Sequence, residues 1–302
     1  MSEHGLRMAL LGVLSLLGSI FAVVFLIGLR AAARGPAPPR VRPSLTELVT
    51  GFVTVFFDTL GIGSFATTTS VFRAGRLVPD ELIPGTLNVG HALSAVLSAF
   101  VFIEIVPVDA VTLLSMIAAA ALGSWFGSGV VARLPRRRIR LGMGVALMVA
   151  AMMMLMTALR LAPPGADALG LRGAALVAAV AGNFVLGSLM TLGIGLYAPC
   201  MILVSLLGLT PTAAFPIMMG SCAGLMPMAA VRFVRAGRYH PAAALALTLG
   251  GIPALFIAAY LVKSLPLTVV RWLVIVVVAY TAWTLIRAGL REARRARVPL
   301  EV

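Results

Sequence analysis

The chain has 302 residues, of which 61% are hydrophobic and only 11% charged, with a mean hydropathy of +1.06. That is more apolar surface than a soluble domain can cover, so the sequence calls for a lipid bilayer as solvent. The net charge of +14 would suit a nucleic-acid partner, but the arginines stand in short clusters between apolar runs, where they report orientation instead. The runs are rich in Ala, Leu and Met and lack the period-two alternation of a lipid-facing barrel.

In chain order, Leu6–Leu29 is too long for a signal-peptide core and ends in arginines without a cleavage site, so it reads as a retained span. Arg30–Pro43 is a loop. Ser44 and Glu47 fit a capping box, with serine and glutamate each satisfying the other's free amide at a helix start. Apolar sequence follows to Phe72. Further apolar blocks run at Ile83–Ile103, Val108–Ala132, Ile139–Leu159, Gly173–Leu209, Ala213–Val231, Pro241–Val262 and Thr268–Ile286. Turn signals separate them at Pro79, Pro107, Pro135, Pro163 and Pro164, Pro211 and Pro266.

An internal repeat is visible. TLGIG occurs at Thr59–Gly63 and again at Thr191–Gly195, 132 residues apart, and Ile83-Pro84 and Phe215-Pro216 share that offset. A Pro-x4-Arg pattern recurs at Pro135/Arg140 and Pro266/Arg271. If each TLGIG stretch turns back at its glycines, 19 of the 24 basic residues fall on one side of the membrane; if each crosses, the division is 14 to 10. The positive-inside rule favours the first arrangement. The expected fold is therefore an all-α polytopic membrane protein of two inverted repeats, each a re-entrant helical hairpin plus three spanning helices, with one extra N-terminal span. The divisions are 1–44 for the N-terminal helix and cytoplasmic linker, 45–172 for the first repeat, and 173–302 for the second with its basic tail. The N-terminus lies outside and the C-terminus in the cytoplasm of a cell (inner) membrane protein.

Inverted repeats with interrupted helices are a recurring design of secondary transporters. Broken backbone at membrane depth must be buried or face a water-filled cavity, and the second half-helix presents free amides suited to an anion. The expected substrate-binding residues are Gly61, Gly63, Ser64, Thr67 and Asn88 from the first half and Gly193, Gly195, Tyr197, Cys200 and Ser221 from the second. Thr68, Thr69 and Cys222 belong to the same set of neighbours. Asp58 is an acid deep in an apolar block, with Met190 at the equivalent position. It is either a coupling or gating group or a cap on the turn's amides. His91 is its expected partner, or a neutral interhelical bridge. No catalytic residue, metal-ligand cluster or cofactor signature is present, and Met152–Met154 reads as lipid-facing or packing surface rather than a metal path. Cys200 and Cys222 lie in apolar stretches and form no disulfide framework.

The chain resembles the TauE/SafE family, the sulfite exporter or TSUP permeases, from Leu45 to Arg287. The carriers are GFVTVFFDTLGIGSF at Gly51–Phe65, GSWFGSGVVARLPRRRIRLGMGVAL at Gly123–Leu147 and TLGIGLYAPCMIL at Thr191–Leu203. Ser64, Phe65 and Ala66 stand where that family often has glycines. The resemblance implies a transporter of sulfite, sulfonates or other small organic anions, and the isolated acid implies coupling to protons, with sodium as the other candidate. A passive anion channel is the alternative, followed by an intramembrane hydrolase built on His91 with Ser64 or Asp58. The expected partners are the small anion, the coupling ion and the bilayer, with no nucleic acid. The oligomeric state stays open, a homodimer among the options.

Overall fold

The computed structural model describes residues 3–34, 40–161, 168–193, 195–210, 213–261 and scattered positions from 272 to 291. The described residues are helical, with no strand and one isolated bridge between Ala168 and Leu209. Ten helices are α1 (Glu3–Arg34), α2 (Leu45–Thr59), α3 (Phe65–Ala74), α4 (Ile83–Ile105), α5 (Ala110–Val131), α6 (Arg136–Ala158), α7 (Gly173–Met190), α8 (Tyr197–Leu206), α9 (Ala214–Arg235) and α10 (Pro241–Leu261). Six of them, α1, α4, α5, α7, α9 and α10, are long and apolar enough to cross a bilayer. The chain is a multi-pass α-helical membrane protein. The expected span Thr268–Ile286 falls largely outside the described residues, as do Pro163, Pro164, Pro211, Pro266, Arg271 and the basic residues after Arg291.

The helix starts follow local chemistry. Glu47 N donates to Ser44 Oγ (3.3 Å) and Ser44 N donates back to Glu47 Oε2 (2.8 Å), so the capping box opens α2. Arg40 pairs with the other oxygen of the buried Glu47. Asp109 caps α5 by accepting from Thr112 N (2.9 Å). Pro84 sits in the first turn of α4, where it removes no helical hydrogen bond.

The elements recur at a nearly constant offset. Phe65 and Tyr197, which open α3 and α8, are 132 residues apart; α4 and α9, and α5 and α10, open 131 apart. The pairings recur with them. α4 packs on α9, α2 on α10 and α5 on α7, while α5 also meets α9 and α10 meets α4. Exchanging each helix for its counterpart returns the same set of pairs.

Close helix approach rests on small residues, as expected where lipid offers no hydrophobic drive between helices. A Cβ on Gly123 would overlap the Phe184 carbonyl oxygen, and one on Gly187 would overlap that of Ala120, so α5 and α7 touch backbone to backbone. Gly51 on α2 and Gly250 on α10 do the same for that pair. Hydrogen bonds then lock the crossings. Asn183 Nδ2 on α7 donates to the Met116 carbonyl on α5 (2.7 Å) and to Ser221 Oγ on α9 (2.8 Å). Ser124 Oγ donates to the Leu225 carbonyl (2.9 Å) and Thr248 Oγ1 to that of Gly90 (2.9 Å).

Helix α1 lies against α9 and α4. Arg7 Nη2 donates to the Val108 carbonyl (3.0 Å) near one end. Toward the other, Phe25 stacks on Phe21 and meets Tyr239 edge-on at 6.2 Å.

Candidate functional site

Two helix breaks build the site. Between α2 and α3 the backbone turns through Gly61 at φ +84° and Gly63 at φ +89°; between α7 and α8 it turns through Gly193 at φ +93°. These are left-handed conformations that a side chain disfavours, and they explain why glycine stands at each break. Gly195 follows Ile194, which lies outside the described residues, and a Cβ on it would meet no atom within 4 Å.

Asp58, in the last turn of α2, reaches across the first break. Its Oδ1 accepts from Ser64 N (2.6 Å), satisfying an amide at the start of α3. Its Oδ2 accepts from the hydroxyl of Tyr197 (2.9 Å), the first residue of α8. The capping role considered for Asp58 is therefore realised, together with a bond between the two breaks. Tyr197 Oη also lies 2.8 Å from Met219 Sδ, but its one proton goes to the carboxylate, the stronger acceptor.

Beside this bond is a small cavity of about 20 Å³, room for roughly one water. Six pairs of lining residues are related by the 131 or 132 offset: Asp58 and Met190, Gly63 and Gly195, Ser64 and Leu196, Phe65 and Tyr197, His91 and Cys222, Ala95 and Met226. Val55 and Ser94 complete the wall. Among the described residues Asp58 is its one acidic side chain, and no lysine or arginine lines it.

His91 is buried and its ring packs on Phe65 with centroids 6.0 Å apart. Its Nε2 is 3.2 Å from Thr68 Oγ1. The expected His91–Asp58 contact is thus replaced by two separate partnerships, Asp58 with Tyr197 and His91 with Thr68, on the wall of one cavity. His91 Nδ1 and Ser94 Oγ are buried without a hydrogen-bond partner among the described residues.

Of the residues expected to bind substrate, Gly63, Ser64, Gly195 and Tyr197 line the cavity, as do Asp58 and His91. Gly61 and Gly193 shape the breaks from behind the wall. Thr67 turns its hydroxyl to the carbonyls of Ser64 (2.8 Å) and Gly63 (3.2 Å). Asn88 donates to the Pro84 carbonyl of its own helix (2.9 Å). Ser221 serves the Asn183 crossing, and Cys200 is buried in α8 and does not line the cavity. Ser94, Met190 and Met226 line the wall without having been expected there. Ser94 could have been found from His91, because residues three apart share a helix face.

No protein-family model, curated protein or solved structure matches the chain. The fold and site define a class no narrower than multi-pass helical membrane protein with a small, mixed polar and apolar cavity beside two helix breaks.

Proposed function

We propose that the chain is a secondary transporter of small sulfur-containing anions, sulfite, sulfonates or related organic anions, with proton coupling through Asp58. The observation that carries this reading is the pairing of cavity-lining residues across the two halves at an offset of 131 or 132. A cavity lined by equivalent positions from two repeats is what an axis of pseudosymmetry through the site would give, and transporters place substrate there. In this reading the repeats are inverted, α2–α3 and α7–α8 are re-entrant hairpins, and Arg76 and Arg138 are cytoplasmic with Glu104 outside. Labelling of single cysteines introduced at positions 76, 104 and 138, in a chain lacking Cys200 and Cys222, tests that topology. Labelling of position 76 only from outside overturns it.

The chemistry of the wall supports the coupling. An anion beside the Asp58 carboxylate would meet a like charge, worth about 4 kcal/mol at 4 Å in a medium of effective dielectric 20. Protonating Asp58 removes that repulsion, so anion and proton are favoured together. Amides at the starts of α3 and α8 and the hydroxyls of Ser64 and Tyr197 would then hold the anion's oxygens. With room for about one water, the cavity is contracted, and an anion of sulfite size needs the two breaks to part. Alternating access is the parting of the breaks toward one side at a time.

The deciding experiment is flux in proteoliposomes. Sulfite and small sulfonates should accumulate against their gradient when a pH gradient is imposed. Flux that ignores the pH gradient and runs only downhill identifies a channel, and absence of binding and flux for every sulfur anion tested removes the reading.

A further inference from the structure

The two halves furnish the cavity with different chemistry. At equivalent positions the first half supplies Asp58, His91 and Ala95 and the second supplies Met190, Cys222 and Met226. Beside Gly195, Leu196 and Tyr197, the second half therefore brings one thiol and two thioethers to the wall. Cys222 Sγ and Met190 Sδ already face each other at 3.9 Å. The imidazole of His91 is on the same wall, with Nδ1 buried and unpartnered.

We propose that Cys222, Met190, Met226 and His91 Nδ1 form a binding site for a soft monovalent cation of the Cu(I) or Ag(I) class. Thiolate and thioether sulfur select soft metal ions. At a metal–sulfur bond of about 2.3 Å, sulfurs 3.9 Å apart subtend an angle of about 116° at the ion, between trigonal and tetrahedral. Carboxylates, imidazoles and thiols alone make no three-ligand cluster among the described residues. The thioethers complete one for a soft ion. The second sphere fits as well. With Nδ1 ligating, the proton sits on Nε2 and is donated to Thr68 Oγ1 at 3.2 Å, the arrangement that fixes the tautomer of a ligating histidine. A cavity that holds one water holds one dehydrated ion.

Binding breaks the S–H bond of Cys222 and forms an S–metal bond; the proton leaves to solvent and the metal's oxidation state does not change. The thiolate cancels the charge of the monovalent ion, so the occupied site adds no net charge to the membrane interior. Met190 and Cys222 are the positional counterparts of Asp58 and His91, so the site lies where the anion would also bind, but the inference does not depend on anion transport.

The test is titration of the purified full chain in detergent with Ag(I), in chloride-free buffer, followed by calorimetry and by proton release. The wild-type chain should bind one Ag(I) and release one proton. Cys222→Ser and, separately, the near-isosteric Met190→Leu should weaken binding by at least the roughly 10–100-fold that loss of an outer-sphere partner alone costs. Cys200→Ser, off the cavity wall, should bind as the wild type does, and Zn(II) should not displace Ag(I). Equal affinity in wild type and Met190→Leu, or loss of binding on Cys200→Ser, overturns the proposal. Anion flux measured on the same preparation stands or falls separately: Ag(I) binding without flux removes the transport reading alone, and flux without Ag(I) binding removes this one alone.

Discussion

Tyr197 and Asp58 are 139 residues apart and share a hydrogen bond of 2.9 Å that joins the start of α8 to the end of α2. The bond binds one broken helix to the other, and it uses the carboxylate oxygen that the α3 cap leaves free. Tyr197→Phe keeps the ring and removes the donor. A hydrogen bond to a charged group contributes about 1.5–3 kcal/mol, so the variant should unfold at lower temperature in detergent. Anion flux should fall with it. Asp58→Asn should still bind anion while losing accumulation driven by a pH gradient. Wild-type melting and flux in Tyr197→Phe would show that the bond is incidental.

The breaks predict an asymmetry among their glycines. Alanine at Gly61 or Gly193 would be forced into the left-handed region at a cost of about 1–2 kcal/mol, and both variants should express poorly or melt early. Gly195→Ala meets no atom within 4 Å, so it should fold normally. Because Gly195 lines the cavity, a loss of flux in that folded variant would report on the site itself. Early melting of Gly195→Ala in the same thermal assay would contradict this assignment.

Backbone contact between α5 and α7 predicts a second contrast. Gly187→Ala places a methyl group against the Ala120 backbone. Overpacking of this kind costs about 1–3 kcal/mol. Gly12, on α1, has nothing within 4 Å, and alanine there should hold or raise stability through its better helix propensity. Thermal unfolding of the two variants side by side measures the difference.

Outside the membrane, Arg172 ties the chain before α7 to the start of α5. Its guanidinium holds both Asp109 oxygens (2.7 and 2.9 Å) and, with the Thr112 amide, draws that carboxyl down from 3.8 to about 2. A depressed folded-state value stabilises the fold above the unfolded-state value, and that stabilisation is lost as pH falls through the folded one. Arg172 is largely exposed, so the pair contributes at most about 1 kcal/mol. The stability difference between wild type and Arg172→Gln should be constant well above 3.8, shrink as pH falls from there, and vanish below about 2. A difference that keeps its full size as pH falls from above 3.8 to about 2 would assign the effect to packing.

What could be read in the sequence was local or periodic. The capping box at Ser44 and Glu47 needs residues three apart, and both of its hydrogen bonds form. The breaks at the two TLGIG strings follow from glycine's freedom, and the 132 offset located the second from the first. Pairings between distant residues were not legible. Nothing in the local sequence of Ser221 says that Asn183 will claim it, and nothing near Asp58 names Tyr197 over His91. Ser94 carries no motif. Its place on the wall follows only from the rotation of α4 that puts His91 there.

Helix α1 has no counterpart in the recurring set of pairs, yet it touches α4 and α9, one from each half. It is tied to the Val108 carbonyl near one end and to the Tyr239 ring toward the other. Any tilt of α9 against α4 must therefore drag a 32-residue strut along with it. The ten-residue helices α3 and α8 carry no such load. However alike the halves are in sequence spacing, only one flank of the described helices carries such a brace.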